Sequence, residues 1–294
     1  TNATTNTELA ALAEAMEGAS YLANEYDITT ATLGDTFSVS AQATIPSSVR
    51  FKSDGTKFYI LGSGYVNEYD LSTAWDVTTA SYSQQFYIYT QEATSTSLTF
   101  SADGTKFYVS GTTGDDVNEY TLSTAWDVST ASFVDSFSVA AQEINPYGIC
   151  LSDDGTKLFV AGATGQDVNE YTLSTAWDVS TGSFVDSFSL ASEIVSQPTD
   201  IGFGSSGTEM YVVDYGSKVH QYTLSTAFDV STSSYTGTYD LTGIEANPRG
   251  IAIKDGTQVF VVGSVQDEVM SFALGSTSYT NQMDKTQLDA VTDP

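Results

Sequence analysis

The chain has 294 residues, of which 40% are hydrophobic and 12% aromatic; this rules out disorder and suffices for one large all-β domain. Nine Lys plus Arg stand against 37 Asp plus Glu, a net charge of −28, which argues against nucleic acid or anionic membrane as a partner. The single cysteine, Cys150, excludes an intramolecular disulfide, and no apolar run approaches the length of a membrane-spanning helix.

The first predicted element is a short helix over residues 5–17. Thr5-Asn6-Thr7-Glu8 has capping-box spacing and Gly18 supplies a stop. Leu9, Leu12 and Met16 form one narrow apolar stripe. A helix this short is marginal alone in water, so the stripe is expected to dock, either on the chain's own fold or on a partner protein. Residues 1–20 are read as an N-terminal arm.

From residue 21 to 274 the chain is a repeat. Residues 111–140 return 51 positions later as 162–191, with 26 of 30 residues identical. The tight-turn signal Asp54-Gly55-Thr56 recurs at Gly104, Gly155, Gly207 and Gly256. A second marker, Asn67-Glu68-Tyr69, recurs at Asn118 and Asn169, decays to His220-Gln221-Tyr222 and Met270-Ser271-Phe272, and has an early copy at Asn24-Glu25-Tyr26. Around these markers apolar residues alternate with period two, as half-buried strands require. In one unit, residues 98–100, 106–110, 117–122 and 132–139 read as four strands, the first two joined at Asp103-Gly104 by a turn whose glycine takes positive φ.

Four antiparallel strands at this period make one propeller blade. Pro46, Pro146, Pro198 and Pro248 each stand three residues before the first apolar residue of a first strand, since proline belongs ahead of a central strand and not inside it. Five turn signals predict five blades, with six as the alternative, and the segment 21–40 is expected to complete the last blade. The third-strand marker, counted six times, leaves one copy over. Trp75, Trp126, Trp177 and Phe228 fall between third and fourth strands, where a large ring at a fixed position packs blade against blade. Residues 275–294 are polar and read as a linker or tail that ends on Pro294 without a terminal element, as in a polypeptide that continues.

The search for chemistry finds little. His220, the only histidine, fills a position held by asparagine in three other units, so neither a hydrolase triad nor a histidine metal site is expected. Cys150 reads as a small buried residue. The recurrent Glu68, Glu119 and Glu170 follow the blades, whereas an active site is normally built from residues that break the repeat. The channel walls are expected from Arg50, Thr99, Cys150, Gly202 and Ala252 and from Ser48, Ser97, Gly148, Asp200 and Gly250. Among these, Arg50 and Asp200 carry the only charges. No cofactor is expected; calcium at Asp115-Asp116 and nearby turn carboxylates is the alternative.

The stretches Ser101–Val109 and Ser152–Val160 carry an S-x-D-G-T-K turn that resembles the hairpin of YVTN-type and lactonase-like β-propellers. The lactonase-like enzymes hold a metal with acidic and histidine residues that this chain lacks. The phrase NEYTLSTAWDVSTASF, with the Thr/Ser/Asn-rich acidic composition, is similar to propeller proteins of marine tailed phages. That resemblance implies a non-enzymatic structural and adhesive virion protein: a tail, fibre or capsid-decorating component, present in multiple copies or as a homo-oligomer. Its partners would be other virion proteins and a host-surface glycan or protein, and its location the virion or extracellular space. A bacterial surface or secreted adhesin is the alternative, and a glycan-active enzyme using Asp200 or another non-repeated acid is a third reading.

Overall fold

A computed structural model describes residues 27–254 and 257–275. Twenty strands form five four-stranded antiparallel sheets, the blades of a β-propeller. Blade 1 comprises β2 (Pro46–Phe51), β3 (Lys57–Gly62), β4 (Tyr65–Leu71) and β5 (Ala80–Tyr87). Blade 2 is β6–β9 (Ser95–Phe100, Lys106–Gly111, Asp116–Leu122, Ala131–Ser138) and blade 3 is β10–β13 (Pro146–Leu151, Lys157–Gly162, Asp167–Leu173, Gly182–Ser189). Blade 4 is β14–β17 (Pro198–Phe203, Glu209–Asp214, Lys218–Leu224, Ser233–Asp240). Blade 5 joins β18 (Pro248–Lys254), β19 (Gln258–Gly263) and β20 (Glu268–Ala273) to β1 (Thr32–Ser38) from the other end of the chain. The ring therefore closes through β1, as the sequence led us to expect of the segment 21–40.

Asn24-Glu25-Tyr26 lies outside the described residues, but Asp27 caps a short 3-10 turn, Ile28–Thr30, as Asp76 caps Val77–Thr79 in blade 1. Among the described residues there are five third strands. The prolines, expected ahead of the inner strands, are instead their first residues. Each sits at a register shift where the ladder skips one position, so its missing N–H leaves no ladder bond unmade. Leu9, Leu12, Met16 and Gly256, like the arm and tail that carry most of them, fall outside the described residues.

The core is divided among the joints. Five apolar clusters each span two neighbouring blades, as when Phe58, Ile60 and Tyr69 pack on Phe260, Val262 and Val269. No blade buries both faces alone, so the repeat is stable only as a ring.

Chain direction sorts the loops onto two ends. One end carries the Asp-Gly hairpins and the Trp-bearing 3-10 turns, where the repeated phrase lies. The other carries the connections from second to third strand and from each blade to the next. The inner strands start at this second end.

Candidate functional site at the channel mouth

The inner strands β2, β6, β10, β14 and β18 surround the axis and approach closely. A Cβ on Gly148 would lie 2.7 Å from the Asp200 Cα, and one on Gly250 2.6 Å from the Ser48 Cα. Arg50 and Asp200, predicted as separate charged wall residues, are brought together here and pair with each other. Asp200 is fully buried and takes both guanidinium nitrogens, Nη1 on Oδ2 at 2.8 Å and Nη2 on Oδ1 at 3.0 Å. The same carboxylate accepts from Ser97 Oγ at 2.8 Å and from the Ile201 and Ile251 N–H groups at 2.9 and 3.0 Å.

Arg50 also donates to the carbonyls of Val49, Ile251 and Ile149 at 2.6–2.9 Å. Burial opposes its charge, but Asp200 more than compensates and holds the guanidinium above its ordinary pKa. The pair draws on all five blades and closes the axis like a pin. Asp200 is thus no free acid, which removes the one acid that the glycan-active reading named, though not the other non-repeated acids it allowed. Cys150, expected to be buried, is only partly so. Its thiol is pushed up to about 11 by burial, against the opposing pull of Arg50, so it is no ready nucleophile.

Above the pin, at the starts of the inner strands, lies a cavity of about 210 Å³. Ser47, Thr96, Tyr147, Thr199 and Arg249 line it, one from each blade at equivalent positions, so it sits on the axis. Thr96 and Thr199 donate to the Pro146 and Pro248 carbonyls at 2.7 and 3.1 Å. The Arg249 guanidinium lies 4.3 Å from the centroid of the Tyr215 ring, and its Nε reaches Ser264 Oγ at 3.4 Å.

The loops around the cavity are held from beneath by three buried carboxylates that sequence reasoning overlooked. Glu92, Glu143 and Glu245 are fully buried and accept backbone N–H groups from both neighbouring loops, such as Thr94, Thr113 and Gly114 on Glu92. Asp116, proposed as a calcium ligand, is pushed up in pKa by burial and by Glu92, and its Oδ1 accepts from Asn118 Nδ2. His220 is buried in β16 with Nε2 3.3 Å from Asp214 Oδ2, closed off from the mouth.

The repeated residues serve the opposite end. Each Trp or Phe of the ladder has positive φ, from 56° at Phe228 to 67° at Trp75, and its N–H bonds the carbonyl of the hairpin glycine, as Trp75 does to Gly55 at 2.9 Å. Gly55, Gly104, Gly155 and Gly207 have positive φ, and a Cβ on any of them would strike the ring above it. Trp75 stacks on Phe51 of its own blade at 5.2 Å and reaches Phe260 of the neighbour at 6.1 Å. The missed mouth residues had a readable signal: the second position of the inner strand reads Ser, Thr, Tyr, Thr, Arg from blade to blade and is not held constant as the repeat markers are.

The fold and this closed axis define a five-bladed β-propeller with a blind axial cavity. No protein-family model and no curated protein matches the chain. Among solved structures, the β-propeller domain of Cps50 (Swd1) from Myceliophteria thermophila aligns with a TM-score of 0.50 and 10% identity, over 83% of this chain and 100% of that one. A luciferin-regenerating enzyme aligns with a TM-score of 0.50 and 10% identity, over 82% and 95%. A functionally unknown protein from Desulfotomaculum acetoxidans gives 0.47 and 13%, over 78% and 68%. At such identities the likeness is one of fold alone.

Proposed function

We propose that this protein is a non-enzymatic, adhesive β-propeller that serves as a structural component of a phage particle. One observation carries the adhesive part: the ring of residues at the axial mouth, Ser47, Thr96, Tyr147, Thr199 and Arg249, breaks the repeat, while the repeated Trp/Phe rings and hairpin glycines build the opposite end. The loops of the mouth end expose Ile45, Tyr89, Ile144, Val195 and Val265, from 49% at Val265 to 88% at Val195. Variable, partly apolar loops on a rigid scaffold suit recognition. The pin supports a binding role over turnover, because its charged groups are consumed within the fold. The phage part rests on the NEYTLSTAWDVSTASF phrase and the acidic, Thr/Ser/Asn-rich composition.

The test is peptide mass spectrometry on density-purified particles from the source culture, with copy number per particle. Recovery at a fixed stoichiometry is expected. Absence from particles, with the protein in the cell envelope or medium, would overturn the virion reading in favour of a bacterial adhesin.

A further inference from the structure

We propose, resting on the adhesive reading, that the axial mouth binds a carboxylate-bearing sugar, with Arg249 as the anion contact. The first observation is a cation without an acid. Acidic residues outnumber basic ones by 37 to 9, and Arg50, Lys52, Lys57, Lys106 and Lys157 each hold a carboxylate within 4 Å. Among the described residues Arg249, Lys218 and Lys254 hold none; of these three, Arg249 is the one that lines the axial cavity, and it rests on Tyr215. A guanidinium stacked on a ring, with Nε turned to Ser264, still presents its Nη donors and is well matched to a carboxylate.

The second observation is the lining. Apart from Arg249 the axial ring consists of hydroxyl residues, Ser47, Thr96, Tyr147 and Thr199. Thr96 and Thr199 have committed their protons to Pro146 and Pro248, so toward a ligand their oxygens act only as acceptors. The complementary ligand is rich in hydroxyl donors and carries one negative group. Tyr147 adds a ring face for the apolar side of a sugar. At about 210 Å³ the cavity is smaller than the ~300–1,000 Å³ of drug-sized sites, and the pin blocks passage below it. One ring of a polysaccharide is therefore seated, and the rest of the polymer lies over the loops.

The experiment titrates the purified full chain with methyl glucuronide, methyl galacturonide, their neutral methyl glucoside and galactoside counterparts, and acetate, read by ligand-observed NMR and calorimetry. At least one uronide is expected to bind tenfold or more tighter than its neutral counterpart and than acetate. Arg249→Gln should remove that margin, with Arg249→Lys retaining only part of it and both melting like wild type. Equal binding of uronide and neutral sugar, acetate matching the uronide, or no binding of any sugar would overturn the proposal. Adsorption of the labelled protein to host cells separates the two readings. If cells are bound but no uronide is, adhesion stands and the mouth assignment falls. If the uronide binds but cells are not bound, the assignment stands and the adhesive reading falls.

Discussion

At the scale of single residues, the axial pin shows how a charged pair that looks functional in sequence can be wholly structural. Asp200 sits without solvent contact between Arg50 and donors from its own and two other blades. Removing one partner of such a pair leaves the other buried and uncompensated, which costs about 3–5 kcal/mol. Asp200→Asn is therefore expected to lower unfolding free energy by about that much in denaturant titrations. Arg50→Gln combined with Asp200→Asn should recover part of the loss. A stable Asp200→Asn protein would show that the pin contributes little. The tyrosines give a second prediction. Burial first, then neighbouring groups, raise Tyr59, Tyr69, Tyr108, Tyr120, Tyr171 and Tyr222 well above the usual value. An unfolded tyrosine ionises near pH 10 while these stay protonated in the fold, so their contribution is intact below about pH 10 and is lost as pH rises beyond it. Thermal melts from pH 8 to 12 should show a falling midpoint above about pH 10, and these six tyrosines should ionise only on unfolding. Ionisation of all 18 in a still-folded protein would contradict this.

At the scale of elements, the joints between blades are stitched by a repeated device that fails at one place. The third-strand glutamate of one blade accepts the first N–H of the next blade's 3-10 turn: Glu68 from Val128, Glu119 from Val179 and Glu170 from Val230, at 3.0–3.1 Å. Lys57, Lys106 and Lys157 clamp the other carboxylate oxygen at 2.6–2.7 Å. At the fourth joint Gln221 replaces glutamate and still accepts from Ile28 at 2.9 Å. At the closing joint Ser271 and Gln258 stand in these positions. Ser271 turns instead to the Asp35 backbone, and a cavity of about 310 Å³ opens beside Val77, Trp75 and Lys254. The joint between blades 5 and 1 thus lacks the stitch that the other four joints carry. Restoring the pair with Gln258→Lys and Ser271→Glu should raise the melting midpoint by about 2–4 °C per kcal/mol gained. Ser271→Glu alone, placing a charge beside Asp35, should lower it. A double-mutant cycle measures the coupling, and zero coupling would mean that the stitch does not hold the blades. Blade phase, blade number and closure through the N-terminal segment were legible in the chain because alternation, Asp-Gly turns and proline entries are local signals. The stitch was half legible: Glu68 and its counterparts were visible as a repeat, but their N–H partners lie 60 residues away. The pin and the mouth were not legible as sites. Arg50 and Asp200 are 150 residues apart, and Arg249 and its neighbours form a ring in space that no window of sequence contains.

At the scale of the whole molecule, a strongly acidic particle presents its proposed anion contact at one axial point. A charge of −28 repels an acidic polymer over roughly a Debye length, about 30 Å at 0.01 M salt and about 10 Å at 0.1 M. The contact at Arg249 is short-range and half-buried against Tyr215, so added salt weakens it less than it weakens the surrounding repulsion. These two ranges give the mouth an inverted salt response. Ordinary cation–anion recognition slows as salt rises; here association of a uronide-bearing polysaccharide should quicken several-fold between 0.01 and 0.1 M, with a smaller change in dissociation. Many copies on one particle would turn a weak single contact into firm attachment, and the inverted slope would then favour adhesion in saline surroundings. Surface plasmon resonance of the monomeric chain over immobilised polysaccharide, across that salt range, measures both rates. An association rate that falls with salt would place the anion contact in a basic region elsewhere on the chain, and Arg249→Gln, which should abolish the specific signal at every salt concentration, would then leave it intact.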